Sequence, residues 1–164
     1  MPESRWTLLD LEGPERERAV PLIREAFEGF YRWHAKRSLR EVPVVRAAVD
    51  GEELVGLSML ERLVPEVGYV FYLAVGLSHR GRGIGRLLLD DALERFGRDG
   101  VQVVYGAVQS DNEPSRALFA SRGFRVVERK ETGYREDGLG AWGLRSRMRL
   151  VPGELLLGLR IHPP

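Results

Sequence analysis

The chain has 164 residues, with 43% hydrophobic and 30% charged residues and a formal net charge of +1. That is enough chain for one domain with a sizeable core, and no global field drives it toward nucleic acid or a membrane surface. Cysteine is absent, which excludes disulfides, thiolate nucleophiles and cysteine metal sites. His34, His79 and His162 share no metal-ligand spacing, so no metal is expected. The opening MPESRWTLLD has no basic or apolar signal region, and no apolar run reaches spanning length. A cytoplasmic location is therefore expected. Basic residues comprise 23 arginines and two lysines, a bias that suits phosphate recognition but also follows from genome composition.

Arg5–Asp10 is a short strand candidate. Apolar Val20, Ile23, Phe27, Phe30 and Tyr31 then recur at helical spacing, so residues 14–37 read as one or two helices, with a kink or restart at Pro21. Val42–Val49 and Glu53–Leu63 flank Asp50-Gly51, a hairpin signal. Glu66–Val75 is a third consecutive strand, and Gly83–Gly97 a helix closed near Gly100. The continuously apolar Val101–Val108 reads as a strand buried on both faces, completing a β-α-β unit. Asn112–Arg122 is a helix capped by Asp111 or Asn112, and Gly123 ends it before a strand over Phe124–Lys130. Gly133–Gly143 reads as a polar loop, and the alternating Leu144–Val151 as the last, edge-type strand. Residues 152–164 are left as a tail of the single domain. Its apolar Leu155–Leu159 docks on the domain or on a second subunit, so a homodimer stays open. The predicted fold is α+β: a mixed, mostly antiparallel sheet of about seven strands, with a β-α-β crossover and flanking helices.

The chemistry-bearing stretch is Arg80-Gly81-Arg82-Gly83-Ile84-Gly85-Arg86, placed between a buried strand and a helix. Glycines leave backbone amides open, a helix N-terminus supplies orphan donors and positive potential, and arginines add charge: the parts of a phosphate seat. A P-loop would need Gly-Lys-Ser/Thr where Gly85-Arg86 stands, and the G-x-G-x-x-G register fails from both Gly81 and Gly83. Tight strand-helix packing alone is the bland alternative.

The same stretch resembles the Q/R-x-x-G-x-G/A motif of the GCN5-related N-acetyltransferases. Upstream, Phe71–Val75 (FYLAV) resembles that family's central strand. Downstream, Asn112–Phe119 followed by Gly123-Phe124 is similar to its N-x-x-A-x-x-L-Y…G-F segment. The resemblance is strong over roughly residues 68–130. It implies an enzyme that moves acetyl directly from acetyl-CoA to an amine, with no covalent intermediate.

By this resemblance, Arg80, Gly81, Arg82, Gly83, Ile84, Gly85 and Arg86 would hold the CoA pyrophosphate, and Asn112, Ser115 and Phe119 would lie near the cofactor. The strand ending at Val75 would part from Val101–Val108, with pantetheine in the gap beside Leu73, Ala74 and Val75. The Leu73 N–H would donate to the thioester carbonyl. The chain departs from the family where proton chemistry is expected. The usual tyrosine acid is Phe119, and positions that carry glutamate in some members are Tyr69 and Ala107. Tyr69 and Glu66, acting through water, are the substitute catalytic candidates, with Tyr134 in the polar loop behind them. His34 reads as a surface residue at a helix end. The acceptor would lie near the aromatic-rich Phe27, Phe30, Tyr31 and Trp33, most of them core, and the loop after Lys130.

A small-molecule amine is the favoured acceptor. Gly123-Phe124 with Arg129 and Tyr134 also resembles the closing segment of ribosomal-protein N-terminal acetyltransferases, which makes a protein N-terminus the alternative. A non-catalytic acyl-CoA-binding sensor is the reading from a different class. Nucleic acid and membrane are not expected partners.

Overall fold

The computed structural model describes residues 5–128 and 146–162. The strands are β1 Thr7–Asp10, β2 Val44–Asp50, β3 Glu53–Val64, β4 Val67–Val75, β5 Val103–Gln109, β6 Arg125–Val126 and β7 Glu154–Arg160. The helices are α1 Val20–Ala26, α2 Gly29–Glu41, α3 Ile84–Arg98 and α4 Glu113–Ala120. The strands form one seven-stranded mixed sheet in the order β1-β2-β3-β4-β5-β7-β6, with β4 and β5 parallel. By contacts the chain divides into two compact units. One comprises the chain up to Glu61 with Phe71–Ala92; the other comprises Arg62–Val70 with the chain from Leu93 onward.

In the first unit, a 3-10 stretch, Gly13–Ala19, leads into α1, and Pro21 falls in the first turn, where its missing N–H costs nothing. The β2–β3 hairpin turns through Gly51-Glu52, with Asp50 opposite Glu53 and Gly51 at φ +62°. A core of Leu11, Ile23, Leu39, Val45, Leu57, Met59 and Ala74 joins α1 and α2 to the sheet. Gly56 leaves room for α3: a Cβ there would lie 2.6 Å from Ile84 Cγ2 and 2.9 Å from Leu88 Cδ1. α3 is also tied to the sheet by charge. Arg46 on β2 donates to both carboxylate oxygens of Asp91, at 2.8 and 2.6 Å, and reaches Asp10 at 3.3 Å. The hydrogen bond to Asp91 raises the Arg46 pKa above its ordinary value, against the opposing effect of burial. A raised guanidinium pKa means that, on the arginine's side, this contribution is lost only as pH rises above the ordinary arginine value.

In the second unit, β4 begins a parallel ladder of four pairs with β5, from Val67↔Val103 to Val70↔Gly106. β7 pairs antiparallel with the whole of β5, and β6 adds to its other edge. Two sequence readings change here. Leu144–Val151 is not the last strand: Ser146–Met148 form a helical turn, while residues 144 and 145 lie outside the described residues. The final strand is β7, inside the predicted tail. Leu155–Leu159 therefore find their partners in β5 and β6, and the reason for invoking a second subunit at that patch disappears.

Arg16 closes the helical layer of the first unit. Its guanidinium donates to the carbonyls of Leu11 (3.1 Å), Leu39 (3.0 Å), Val42 (2.7 Å) and Pro43 (3.0 Å), at and beyond the C-terminal turn of α2. A cation there also meets the negative end of the helix macrodipole. Arg16→Ala should lower unfolding free energy by about 2–3 kcal/mol, because carbonyls lose a charged donor. Arg16→Lys, which cannot span the same set, should recover less than half. Chemical denaturation of the three proteins checks this, and an unchanged midpoint for the alanine variant would refute it.

Candidate functional site

β4 delivers the chain into the glycine turn. Leu73 and Val75 pack on the face shared with Ala48, Val55, Ile84 and Leu88, whereas Ala74 is buried in the core beneath α1 and α2. After Val75, Gly76 donates to the Val55 carbonyl at 2.9 Å, and Leu77–His79 form a single 3-10 turn. Gly81 and Gly83 follow at φ +73° and +89°, the left-handed region in which a side chain is strained, and a Cβ on either would meet open space. The glycines are thus required by the path of the turn and not by packing against a neighbour.

α3 starts directly behind this turn. Its first closing bond runs from Leu87 N–H to Gly83 O at 3.0 Å, so the amides of Ile84, Gly85 and Arg86 precede the helical ladder. Ile84 is buried at 1% exposure and pins the helix start to the core. Arg80, Arg82 and Arg86 are exposed, and the first turn of α3 carries no acidic residue. Cations at the positive end of a helix oppose its macrodipole, each by about 0.3–1 kcal/mol at an exposed position. A bound anion reverses the sign of that cost. Arg80 Nε donates to the Val75 carbonyl at 3.3 Å, folding one of the three arginines back onto the strand.

The helical layer adds a residue that the sequence reading missed. Glu25, in the last turn of α1, accepts a hydrogen bond from Leu77 N–H through Oε1. Its 52-residue separation from Leu77 hides this contact from any motif search. Phe27 meets Tyr72 edge-on, with ring centroids 5.3 Å apart, beside Leu73. Phe30 and Trp33 are 58% and 55% exposed, so they are not core residues as expected; they lie on the outer face of α2, with His34 edge-on to both.

Tyr69, Glu66, Asn112, Ser115 and Phe119 belong to the second unit. Tyr69 is 2% exposed and stands in register with Tyr105. Glu66 lies in the turn before β4, and its carbonyl accepts from the amides of Gln102 and Val103. Asn112 caps α4, with Oδ1 accepting from Ser115 N at 3.2 Å. Phe119 is 4% exposed, edge-on to Phe124 with centroids 4.9 Å apart, and its ring fills the space above Gly106. Arg129, Lys130 and Tyr134 lie outside the described residues. Among the described residues no cluster of three or more His, Asp or Glu could hold a metal, and no helix is long and apolar enough to cross a membrane.

Comparison with known proteins identifies the family. The model of the acetyltransferase (GNAT) family matches residues 5–124. The chain belongs to the GNAT acetyltransferase family. Across 146 residues it is 34% identical to N-alpha-acetyltransferase RimI of Mycobacterium tuberculosis, a match covering 85% of this chain and 90% of that protein. A mycothiol acetyltransferase of Corynebacterium glutamicum is 33% identical over 79 residues, 48% of this chain but only 27% of the relative. In fold, the chain resembles a GNAT family acetyltransferase of Elizabethkingia anophelis solved with acetyl-CoA bound: TM-score 0.68, 16% identity, 97% of this chain and 100% of that one.

Because the Phe119 ring is enclosed by Gly106 and Phe124, Phe119→Ala should cost this acetyltransferase about 3–5 kcal/mol of stability by leaving a cavity. The shape of its pH–rate profile should not change, since phenylalanine carries no proton. Thermal unfolding together with the pH profile checks both parts; a pKa that vanishes in the variant would contradict the second.

Proposed function

We propose that this GNAT acetyltransferase takes acetyl-CoA as donor and the α-amine of a polypeptide N-terminus as acceptor. The observation that carries the donor assignment is the uncompensated positive start of α3: orphan amides, three exposed arginines and no acidic residue, behind two glycines at positive φ. The pyrophosphate would sit against the amides of Ile84, Gly85 and Arg86, with Arg82 and Arg86 adding charge and Arg80 released from Val75. Pantetheine would run beside Leu73, Ala74 and Val75, residues of β4 beyond the four-pair ladder with β5. Asn112 and Ser115, which share the α4 cap, keep the cofactor role that the family resemblance gives them. The Leu73 N–H would donate to the thioester oxygen as negative charge develops there, an interaction worth about 2.7–4 kcal/mol in comparable sites. The neutral amine attacks the thioester carbon, the C–S bond breaks, and CoA leaves as thiolate. The proton lost by the attacking nitrogen balances that charge.

Two arguments favour an α-amine. The match to RimI runs through most of both chains, whereas the match to mycothiol acetyltransferase covers about half of this one. The second argument is chemical. The positions where the family keeps a base or an acid are Tyr69, Ala107 and Phe119, and no carboxylate stands at any of them. An α-amine, with pKa about 7.7–8.0, is substantially neutral near pH 7.5, whereas an alkylamine near 10.4 is almost wholly protonated. A site without a strong base therefore suits the α-amine. Glu66 and buried Tyr69 are retained as the candidates for a proton relay through water. The partial match to mycothiol acetyltransferase supports a small-molecule amine as the second reading.

CoA release measured over a panel of peptides and small amines tests the acceptor. Peptides should react best, and their rate should rise with pH through an apparent pKa near 8, that of the acceptor itself. Release with small amines alone would establish the second reading. Saturable acetyl-CoA binding without release for any amine would make the protein a sensor. Gly83→Asp, which places a side chain and a negative charge in the turn, should raise the acetyl-CoA Kd at least about tenfold. Unchanged affinity in a folded variant would overturn the donor site.

A further inference from the structure

The segment Gly76–His79 carries the backbone from β4 to the glycine turn, and its 3-10 turn has no cap of its own. Residue 76 is a glycine, so no local side chain can accept from the first amides of that turn. The acceptor comes instead from α1, where Glu25 takes the Leu77 N–H. Leu22, one helical turn earlier, stands 3.4 Å from where a Cβ of Gly76 would be. Together with the Gly76 N–H bond to Val55 O, α1 and β3 fix the start of the segment on two sides. On the far side of the segment lie Gly81 and Gly83, which have almost no steric preference of their own. The turn's shape therefore has to be imposed from its ends, by Ile84 in the core and by the Gly76-Leu77 anchor.

We propose that Glu25 is a positioning residue for the pyrophosphate turn, holding Leu77 so that the following glycines present their amides in one arrangement. This rests on the acetyl-CoA reading above. Glu25 is exposed and touches no proposed reacting atom, so its loss should leave the fold and the chemical step in place. The effect falls on the part of the donor that the turn grips. Binding to a flexible turn requires ordering it, and that cost is added to every ligand carrying the pyrophosphate.

The test compares acetyl-CoA with S-acetylpantetheine, which has the thioester arm and no pyrophosphate. Glu25→Ala should raise KM for acetyl-CoA about fivefold, the size of one hydrogen bond, with kcat within about twofold. KM for S-acetylpantetheine should not change. Glu25→Gln, which keeps a carbonyl acceptor for Leu77 N–H, should restore the acetyl-CoA value to within about twofold. An unchanged acetyl-CoA KM in the alanine variant would overturn the proposal, and so would an equal rise for both donors or a fall in kcat alone. Gly83→Asp, run in parallel, separates the two failures. If it leaves acetyl-CoA binding intact, the donor site itself is wrong; if it abolishes binding while Glu25→Ala does nothing, only the role of Glu25 is wrong.

Discussion

The constraint on which the functional half of this molecule depends is the electrostatics of one helix end. α3 begins with amides that no intrahelical carbonyl satisfies, and the chain surrounds that end with arginines where a stable helix would carry acidic residues. For folding alone this is a poor choice. It becomes favourable when an anion occupies the turn, because the arginines and the orphan amides then act on the same charge. The local conflict with helix-stabilising rules is what separates a binding turn from a mere connection.

A helix end proposed to bind charge must not drift, and contacts within the first unit hold this one in place. Gly56 lets α3 approach β3 to within contact of Ile84 and Leu88. Arg46 grips Asp91 on the same helix with two hydrogen bonds and is itself steadied by Asp10. The pair is only 15% and 14% exposed, so solvent screens it less than a surface ion pair and its bidentate geometry adds direction as well as energy. α1, packed beside an α2 whose C-terminal end Arg16 holds, then supplies Glu25 to the segment that enters the turn.

Much of this was legible in the residues. Asp50-Gly51 announced the hairpin, Asn112 the cap of α4, and Gly81 and Gly83 a turn before α3, because each depends on chemistry within a few residues. The misread elements depend on distant partners. In LRSRMRLV, apolar and basic residues alternate as on an edge strand, yet Ser146–Met148 turn as a helix. In ELLLGLR the apolar run has no alternation, because the successive residues Leu156 and Leu157, on opposite faces of β7, are both buried. Gly158 gives the clearest physical reason for the difference. A Cβ there would fall 2.7 Å from Val127 and 3.0 Å from Tyr105, a close approach that only the assembled sheet reveals. The exposure of Phe30 and Trp33 was equally hidden, since helical spacing shows that aromatics share a face but not which way the face turns.

Proton handling connects these structural choices to the acceptor. By the family resemblance Phe119 stands where the acid would be, and the structure gives its ring a packing role against Gly106 and Phe124. In the proposed mechanism Glu66 and the enclosed Tyr69 are the remaining candidates for a proton relay through water. A site furnished in this way does not need to strip a proton from a strongly basic amine if a sizeable fraction of the amine arrives neutral, and CoA thiolate leaves without obligatory protonation. In the proposed mechanism the burden shifts from catalytic groups to positioning: a pyrophosphate turn, a main-chain donor at Leu73, and an acceptor whose own pKa lies near the working pH. On this view the absent tyrosine and glutamates restrict the substrate class instead of abolishing the chemistry, because an alkylamine would need the base that these positions lack.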